Sequence, residues 1–367
     1  MIPARTRHPF LMYDELEMAP DAIASYLAPD EDEQAHRNTL AQKIASARRI
    51  WLTGCGTAYH AALAGRALLT ELTDGSVDAR AVEAFELAHY ERDAPREGDV
   101  TIALSHSGRP TATNAALSRA RSGGSYGITV TGFADSPAAQ NTDSVLNTGY
   151  AAAQSMAYTI SYSLMLAALA DLAVRVTKSS ESTSGSDIIA SLNEVPALHR
   201  QVLGMSPVIR EHARRLSGWR RWMFAGAGPE YATSLEAALK MQETNYTASI
   251  GLHMEELLHG PVATLGDSVL VVIAPPGPGR DRALDLLQAA RMVGAESVAI
   301  GEQDDAQLAQ AGAFVGLPSV PAALSPLLYH VPVHLFSYWL AVETETNPDV
   351  MRRDDGRYLA ARQSYTL

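Results

Sequence analysis

Residues 48–69, RRIWLTGCGTAYHAALAGRALL, are the stretch whose reading decides the fold. They open as an apolar strand, break at a loop holding two glycines, and continue from Thr57 to about Leu72 as a helix rich in Ala and Leu. The same plan returns at residues 221–241, RWMFAGAGPEYATSLEAALKM, again strand, Gly-Ala-Gly loop and helix. Around the first copy, residues 77–83, 100–104, 126–131 and 144–147 read as strands, and 112–121 and 155–176 as helices. Around the second, 269–274 and 297–301 read as strands, and 188–203, 231–246, 282–293 and 326–342 as helices. Short apolar strands alternating with helices imply an α/β fold whose parallel sheets are covered on both faces. Two domains of one kind stand in tandem.

The remaining segments frame them. Residues 12–27 read as a helix interrupted at Pro20 and restarted, and 41–47 as a second short helical piece. This gives an N-terminal helical arm over 1–45, a first domain over 46–178, a linker and helix over 179–204, a second domain over 205–345, and a tail over 346–367. The linker begins with SSESTSGS at 179–186, a flexible composition suited to a surface connection. The tail is polar and must be tied down or disordered.

Composition limits the function. At 367 residues the chain exceeds one ordinary core, and 47% hydrophobic against 19% charged residues describes a folded globular protein. The net charge is −12, and the basic clusters, Arg214-Arg215 with Arg220-Arg221 and Arg352-Arg353, are short, so nucleic acid is not an expected partner. No apolar run is read as long enough to cross a bilayer, and residues 1–8 lack an apolar signal core, so we expect a cytoplasmic protein without a membrane partner. The single cysteine, Cys55, fits a reducing compartment and excludes a thiolate metal cluster. His330 and His334 are four residues apart but lack a third ligand at zinc-site spacing; with His253 they are expected to pack against the partner domain. No metal or cofactor is expected.

In an open parallel sheet, ligands bind beyond the carboxyl ends of the strands. Two loops of the first domain qualify. Gly54-Cys55-Gly56-Thr57 and Ser105-His106-Ser107-Gly108 each follow a strand and precede a helix, where free N–H groups and the helix dipole attract an anion. Hydroxyls combined with glycine point to a phosphate cradle. Neither a Walker loop nor a GxGxxG fingerprint is present. Ser-rich turns are often plain caps, Cys55 is most simply a small buried residue, and His106 could touch a ligand or only cap its loop. The second functional stretch is residues 235–261, LEAALKMQETNYTASIGLHMEELLHGP. Lys240 and Glu243 share a helix face, as a surface pair or as a base beside a cation. His259, just before Gly260-Pro261, is a helix-end histidine or a group that moves protons near neutral pH.

These motifs resemble the SIS (sugar isomerase) domain family, and their order is similar to the isomerase half of glucosamine-6-phosphate synthase and its stand-alone deaminase and deglycase relatives. The likeness runs from MYDELEMAPDAI through GCGTAYHA, LSHSGRPTAT, LEAALKMQETNY and EELLHGP to LLYHVPVHLFSYWLA. It implies two tandem SIS domains, each a flavodoxin-like three-layer sandwich. It further implies that Ser105, Ser107 and Thr111 hold a sugar phosphate in a pocket also lined by Cys55, Gly56, Thr57, His106 and Gln154. Glu243 would move a proton between C1 and C2 of the open-chain sugar, Lys240 would steady charge on the enediol oxygen, and His259 would open the ring from the neighbouring subunit of a homodimer.

Three departures bear on the reaction. Arg109-Pro110 follows SHSG where the family often has Glu-Thr, displacing a hydroxyl to Thr111. Residues 152–156, AAQSM, lack the lysine of the usual segment, and the tail carries Arg362 where a synthase has a lysine able to form a Schiff base. Residue 2 is Ile, with no N-terminal cysteine nucleophile, so glutamine-dependent amidotransfer is not expected. What remains is isomerisation, deamination or deglycation of a hexose or hexosamine 6-phosphate. The other reading is a sugar-phosphate-binding regulatory protein that has lost the chemistry.

Overall fold

The computed structural model describes residues 5–150, 155–179 and 185–366. Helices α1 (Leu11–Leu27) and α2 (Glu31–Ala45) precede β1 (Arg49–Gly54), α3 (Thr57–Leu72), β2 (Ala79–Glu83) and α4 (Ala84–His89). There follow β3 (Asp99–Leu104), α5 (Thr111–Ser122), β4 (Tyr126–Thr131), α6 (Pro137–Gln140), β5 (Ser144–Asn147) and α7 (Thr159–Ser179). The second half runs α8 (Gly185–Leu203), α9 (Ser206–Leu216), β6 (Arg221–Gly226), α10 (Glu230–Thr244), β7 (Ala248–His253) and α11 (Met254–Leu258). It ends with β8 (Val269–Ala274), α12 (Gly279–Met292), β9 (Glu296–Glu302), β10 (Ala313–Leu317), α13 (Pro326–Glu343) and α14 (Gly356–Gln363).

Two compact units result. Among the described residues, one comprises 19–150, 160–179, 185–196 and 361–366, and the other 5–18, 155–159 and 197–360. The first holds a parallel sheet in the order β2-β1-β3-β4-β5, with Ile50 beside Val100 on one side and Ala79 on the other. β3 is buried at every position, as a strand covered on both faces must be. Helix α3 lies close enough that a Cβ on Gly65 would stand 2.7 Å from Leu169 and 2.9 Å from Leu52. Ion pairs from Arg37 to Asp171 at 3.2 Å and to Glu33 at 2.9 Å hold the mostly polar α2. The second unit repeats the plan: β10-β9-β8-β6-β7 is the same order with β6 in the place of β1, and β8 is buried throughout like β3. Two α/β sheets of one topology are therefore present, as the sequence reading expects.

Several local expectations need correction. Helix α1 does not stop at Pro20; Met12, Leu16, Ala19 and Ile23 form a buried stripe at helical spacing that carries the helix through the proline. Helix α2 starts ten residues earlier than expected, at an N-cap where the Asp30 carboxylate accepts from Glu33 N at 2.9 Å. One helix, over Thr159–Thr177, is after all long and apolar enough to cross a membrane, but 94% of it is buried inside the fold. The strands β7 and β10 and the helices α4 and α9 were not expected. Strand β7 is partly exposed along its length and interrupted by Gly251, so it lacks a clean period of two. α4 is capped by a glutamate, Glu83, whose carboxylate accepts from Phe85 N at 2.7 Å and Glu86 N at 3.2 Å, in place of the short polar cap that usually marks a helix start.

The tail is tied down in its first part. Asp349 accepts from the N–H groups of Leu11 and Met12, both at 2.8 Å, satisfying donors that the start of α1 leaves open. Asn347 donates to the Arg5 carbonyl at 3.0 Å. Beyond it, α14 buries no residue.

Candidate active site

In the first unit the chain leaves β1 toward β2 and returns to β3 on β1's other side, so the loops after β1 and β3 diverge at the switch point of the sheet, where open α/β sheets bind ligands. The loop after β3 is a braced turn. Ser105 Oγ accepts from Gly108 N at 3.1 Å, and Ser107 Oγ accepts from Arg109 N at 3.4 Å. Gly108 has φ +62°, and a Cβ there would lie 2.1 Å from Ser136 Oγ, so only glycine fits. Its carbonyl accepts from Ala138 N at 3.0 Å and from Asn114 Nδ2 at 3.1 Å. Pro110 precedes α5 as its N-cap rather than sitting in its first turn, and Thr111, the first helical residue, is exposed.

The loop after β1 meets this one through Cys55, whose Sγ lies 3.7 Å from Thr113 Oγ1. Burial pushes the Cys55 thiol up to about 11, so it stays protonated and serves as a small packed residue. Gly56, at φ +54°, is the N-cap of α3, and Thr57 begins that helix. The structure thus brings Cys55, Gly56, Thr57, Ser105, Ser107 and Thr111 to one edge of one sheet, with two helix N-termini. Burial lowers His106 to about 4, leaving its ring neutral, edge-on to Phe133 at 5.5 Å, while its carbonyl accepts from Gly132 N at 3.0 Å. Gln154 lies outside the described residues. At the opposite, amino edge of this sheet a cavity of about 450 Å³ is lined by Lys43, Gly98, Arg121 and Tyr126, where no candidate residue falls.

The second unit holds Lys240 and Glu243 on α10. They are not a surface pair. Lys240 is fully buried, and its Nζ bonds the Glu243 carboxylate, donates to the Ala157 carbonyl at 2.7 Å, and lies 3.4 Å from Glu236 Oε1. The carboxylates outweigh desolvation and hold the Lys240 ammonium above its ordinary range. The Glu243 side chain is 14% exposed. Glu236 escaped the sequence reading although Glu236, Lys240 and Glu243 share a helix face at spacings of four and three. His330 and His334 do not pack against a partner domain. They lie buried within their own unit, with His199 of α8 5.4 Å from His330 between ring centres and His334 Nε2 3.5 Å from Glu236 Oε1. His253 stacks on Tyr231 at 3.5 Å. His259 caps α11, exposed, with Nδ1 2.9 Å from the Glu255 carbonyl oxygen. Among the described residues, no group of three or more His, Cys, Asp or Glu could hold a metal ion.

Two sheets of like topology, with ligand loops at a switch point and a buried Lys–Glu pair on the matching helix of the second, define a tandem α/β protein. The chain belongs to the SIS domain family, whose profile matches residues 43–175 and 215–344. It is 34% identical over 312 residues to the glutamine–fructose-6-phosphate aminotransferase (isomerizing) of Pyrococcus horikoshii, covering 84% of this chain and 51% of that one. The chain thus spans about half the length of such relatives. In fold it matches the C-terminal domain of glucosamine-fructose-6-phosphate aminotransferase from Francisella tularensis, with TM-score 0.85, 20% identity, and coverage of 95% of this chain and 99% of that one. It also matches tagatose-6-phosphate ketose/aldose isomerase from Escherichia coli, with TM-score 0.79, 19% identity, and coverage of 95% and 97%.

Proposed function

We propose that the protein is a phosphosugar isomerase or aminosugar-phosphate deaminase acting on a hexose or hexosamine 6-phosphate. The observation that carries this reading is the Glu243 carboxylate, nearly buried and bonded to a fully buried ammonium, in a family whose members work on sugar phosphates. Proton transfer beside a carbonyl needs a base that stays ionised and shielded from water, and a neighbouring cation supplies the first condition.

In this reading the hydroxyls of Ser105, Ser107 and Thr111 and the main-chain N–H groups around Cys55, Gly56 and Thr57 take the phosphate, as helix N-termini favour a dianion. His106 and Gln154 complete the cradle. His259, supplied by the partner subunit of a homodimer, assists ring opening. Glu243 removes the proton from C2 of the open-chain aldose and returns it to C1, converting aldehyde to ketose. With a 2-amino sugar the same transfer leaves an imine at C2, and water then displaces ammonia.

The test is incubation with glucosamine 6-phosphate, fructose 6-phosphate and fructosamine 6-phosphate in D₂O, following ammonia release and deuterium uptake at C1 or C2. Turnover by the wild type and its loss by roughly 10²–10⁴ in Glu243→Gln, with phosphosugar binding kept, is the expected result. No turnover on the whole panel overturns the enzymatic reading. Phosphosugar-dependent thermal stabilisation without turnover, insensitive to Glu243→Gln, would instead identify a sugar-phosphate-binding regulatory protein.

A further inference from the structure

Behind the Lys240–Glu243 pair the fold buries three histidines that the proposed reaction does not use. His199, His330 and His334 are 0%, 1% and 0% exposed, and the rings of His330 and His334 stand edge-on at 5.1 Å. The three differ in their partners. His330 Nδ1 lies 2.8 Å from the Pro326 carbonyl, which accepts only, so Nδ1 carries that ring's proton. Neither nitrogen of His199 has a hydrogen-bond partner among the described residues. His334 directs Nε2 at Glu236 Oε1, the same oxygen that stands 3.4 Å from Lys240 Nζ. Burial lowers all three rings, so they are neutral and each has one N–H to give.

The charges around Lys240 do not balance. Two carboxylates, Glu236 and Glu243, share one ammonium, whose three N–H donors face three acceptors: Glu236, Glu243 and the Ala157 carbonyl. Glu236 is wholly buried and so competes strongly for the cation. We propose that His334 is a positioning residue: its Nε2–H, donated to Glu236, relieves that carboxylate's demand on Lys240 and leaves the ammonium to hold Glu243. The inference rests on Glu243 being the base. The other titratable groups on the elements packed against this face are few. Helix α13 offers His330 beside His334, α8 offers His199, and α10 itself carries Glu230, bonded to Ser325 Oγ at 2.6 Å. Strand β7 brings His253, stacked on Tyr231, β6 only the exposed Arg221, and β8 none.

If His334 is replaced by a residue without a donor, Lys240 shifts toward Glu236, and Glu243 loses part of its cation. The test compares His334→Leu with His334→Gln, whose amide can still donate. The Glu243 carboxyl is titrated by ¹³C NMR in glutamate-labelled protein, its resonance assigned by its loss in Glu243→Gln. In His334→Leu the titration should move up by about one pH unit, with the acid limb of kcat following and KM within about twofold; His334→Gln should restore both. A titration that is unmoved or moves down, or a His334→Gln that behaves like His334→Leu, overturns the proposal. Should His334→Leu fail to fold, ¹⁵N shifts in the wild type decide: the Nε2–H tautomer is required, and Nδ1–H or imidazolium refutes it. Because the NMR readout needs no turnover, a shifted titration in a protein inactive on the phosphosugar panel would retire the base and keep the positioning contact.

Discussion

Lys240 Nζ donates to the Ala157 carbonyl at 2.7 Å, so a wholly buried ammonium ties the segment ahead of α7 to the helix that carries Glu243. The same nitrogen lies 3.4 Å from Glu236, and both carboxylates depend on it for charge balance. A lysine placed this way is structural before it is chemical. Its role as a stabiliser of an enediol oxygen would have to be exercised with three partners already in place.

Replacing Lys240 by Met keeps the length and apolar stem and removes the charge. That leaves the Glu236 carboxylate buried without a cation, and breaking such a pair costs about 3–5 kcal/mol. Urea unfolding at pH 7.5 should show a loss of this order for Lys240→Met. The double variant Lys240→Met/Glu236→Gln should recover part of it, because no uncompensated charge remains behind. A Lys240→Met midpoint equal to that of the wild type would show that the network contributes nothing to folding.

The tandem sheets were legible because their strands are short apolar runs with a Gly-containing loop behind β1 and β6, a signal that depends on local sequence alone. Elements whose burial depends on neighbours were not. β7 is a half-exposed edge strand, and α4 is held by an unusual glutamate cap. α9 did carry a signal, with Ile209, Ala213 and Leu216 buried at spacings of four and three, but its arginines mask it. In the site, the phosphate loops could be read from Ser and Gly between strand and helix. The partners of Lys240 could not: Ala157 and His334 lie 83 residues before it and 94 after it. The single-helix pattern of Glu236, Lys240 and Glu243 was visible, whereas their burial against α13 was not.

His199 makes stability depend on pH. Burial holds it at about 3 in the folded protein against 6.5 when exposed, so between those values the unfolded chain binds one more proton. Stability attributable to this ring is therefore intact above pH 6.5 and falls as the pH drops, by about 1.4 kcal/mol per unit. Glu230, raised by burial to about 7, acts in the opposite sense, since its proton is favoured in the folded state. The variant must therefore be compared with the wild type at each pH. His199→Leu should be as stable as the wild type or more so at pH 7.5, because neither ring nitrogen has a hydrogen bond to lose. By pH 5 it should be ahead by about 2 kcal/mol in urea titrations. An advantage that does not grow as the pH falls would mean that the ring is reached by water or protonated in the fold.

Gly108 tests the phosphate cradle without touching a hydroxyl. It sits between Ser107 and the start of α5 with φ +62°, a conformation that costs an alanine about 1 kcal/mol, and the missing Cβ would stand 2.1 Å from Ser136 Oγ. Ser136 cannot simply yield, because its Oγ caps α6 by accepting from Ala139 N at 3.3 Å. Gly108→Ala must therefore either distort the turn that holds Ser105 and Ser107 or break that cap. The expected loss is roughly 2–4 kcal/mol of stability, together with loss of the thermal shift induced by fructose 6-phosphate. Ser136→Ala separates the two effects. It removes the cap for about 1 kcal/mol and leaves the Ser105 turn intact, so phosphosugar stabilisation should persist in it. If Gly108→Ala binds fructose 6-phosphate as the wild type does, the loop after β3 is not where the phosphate is held.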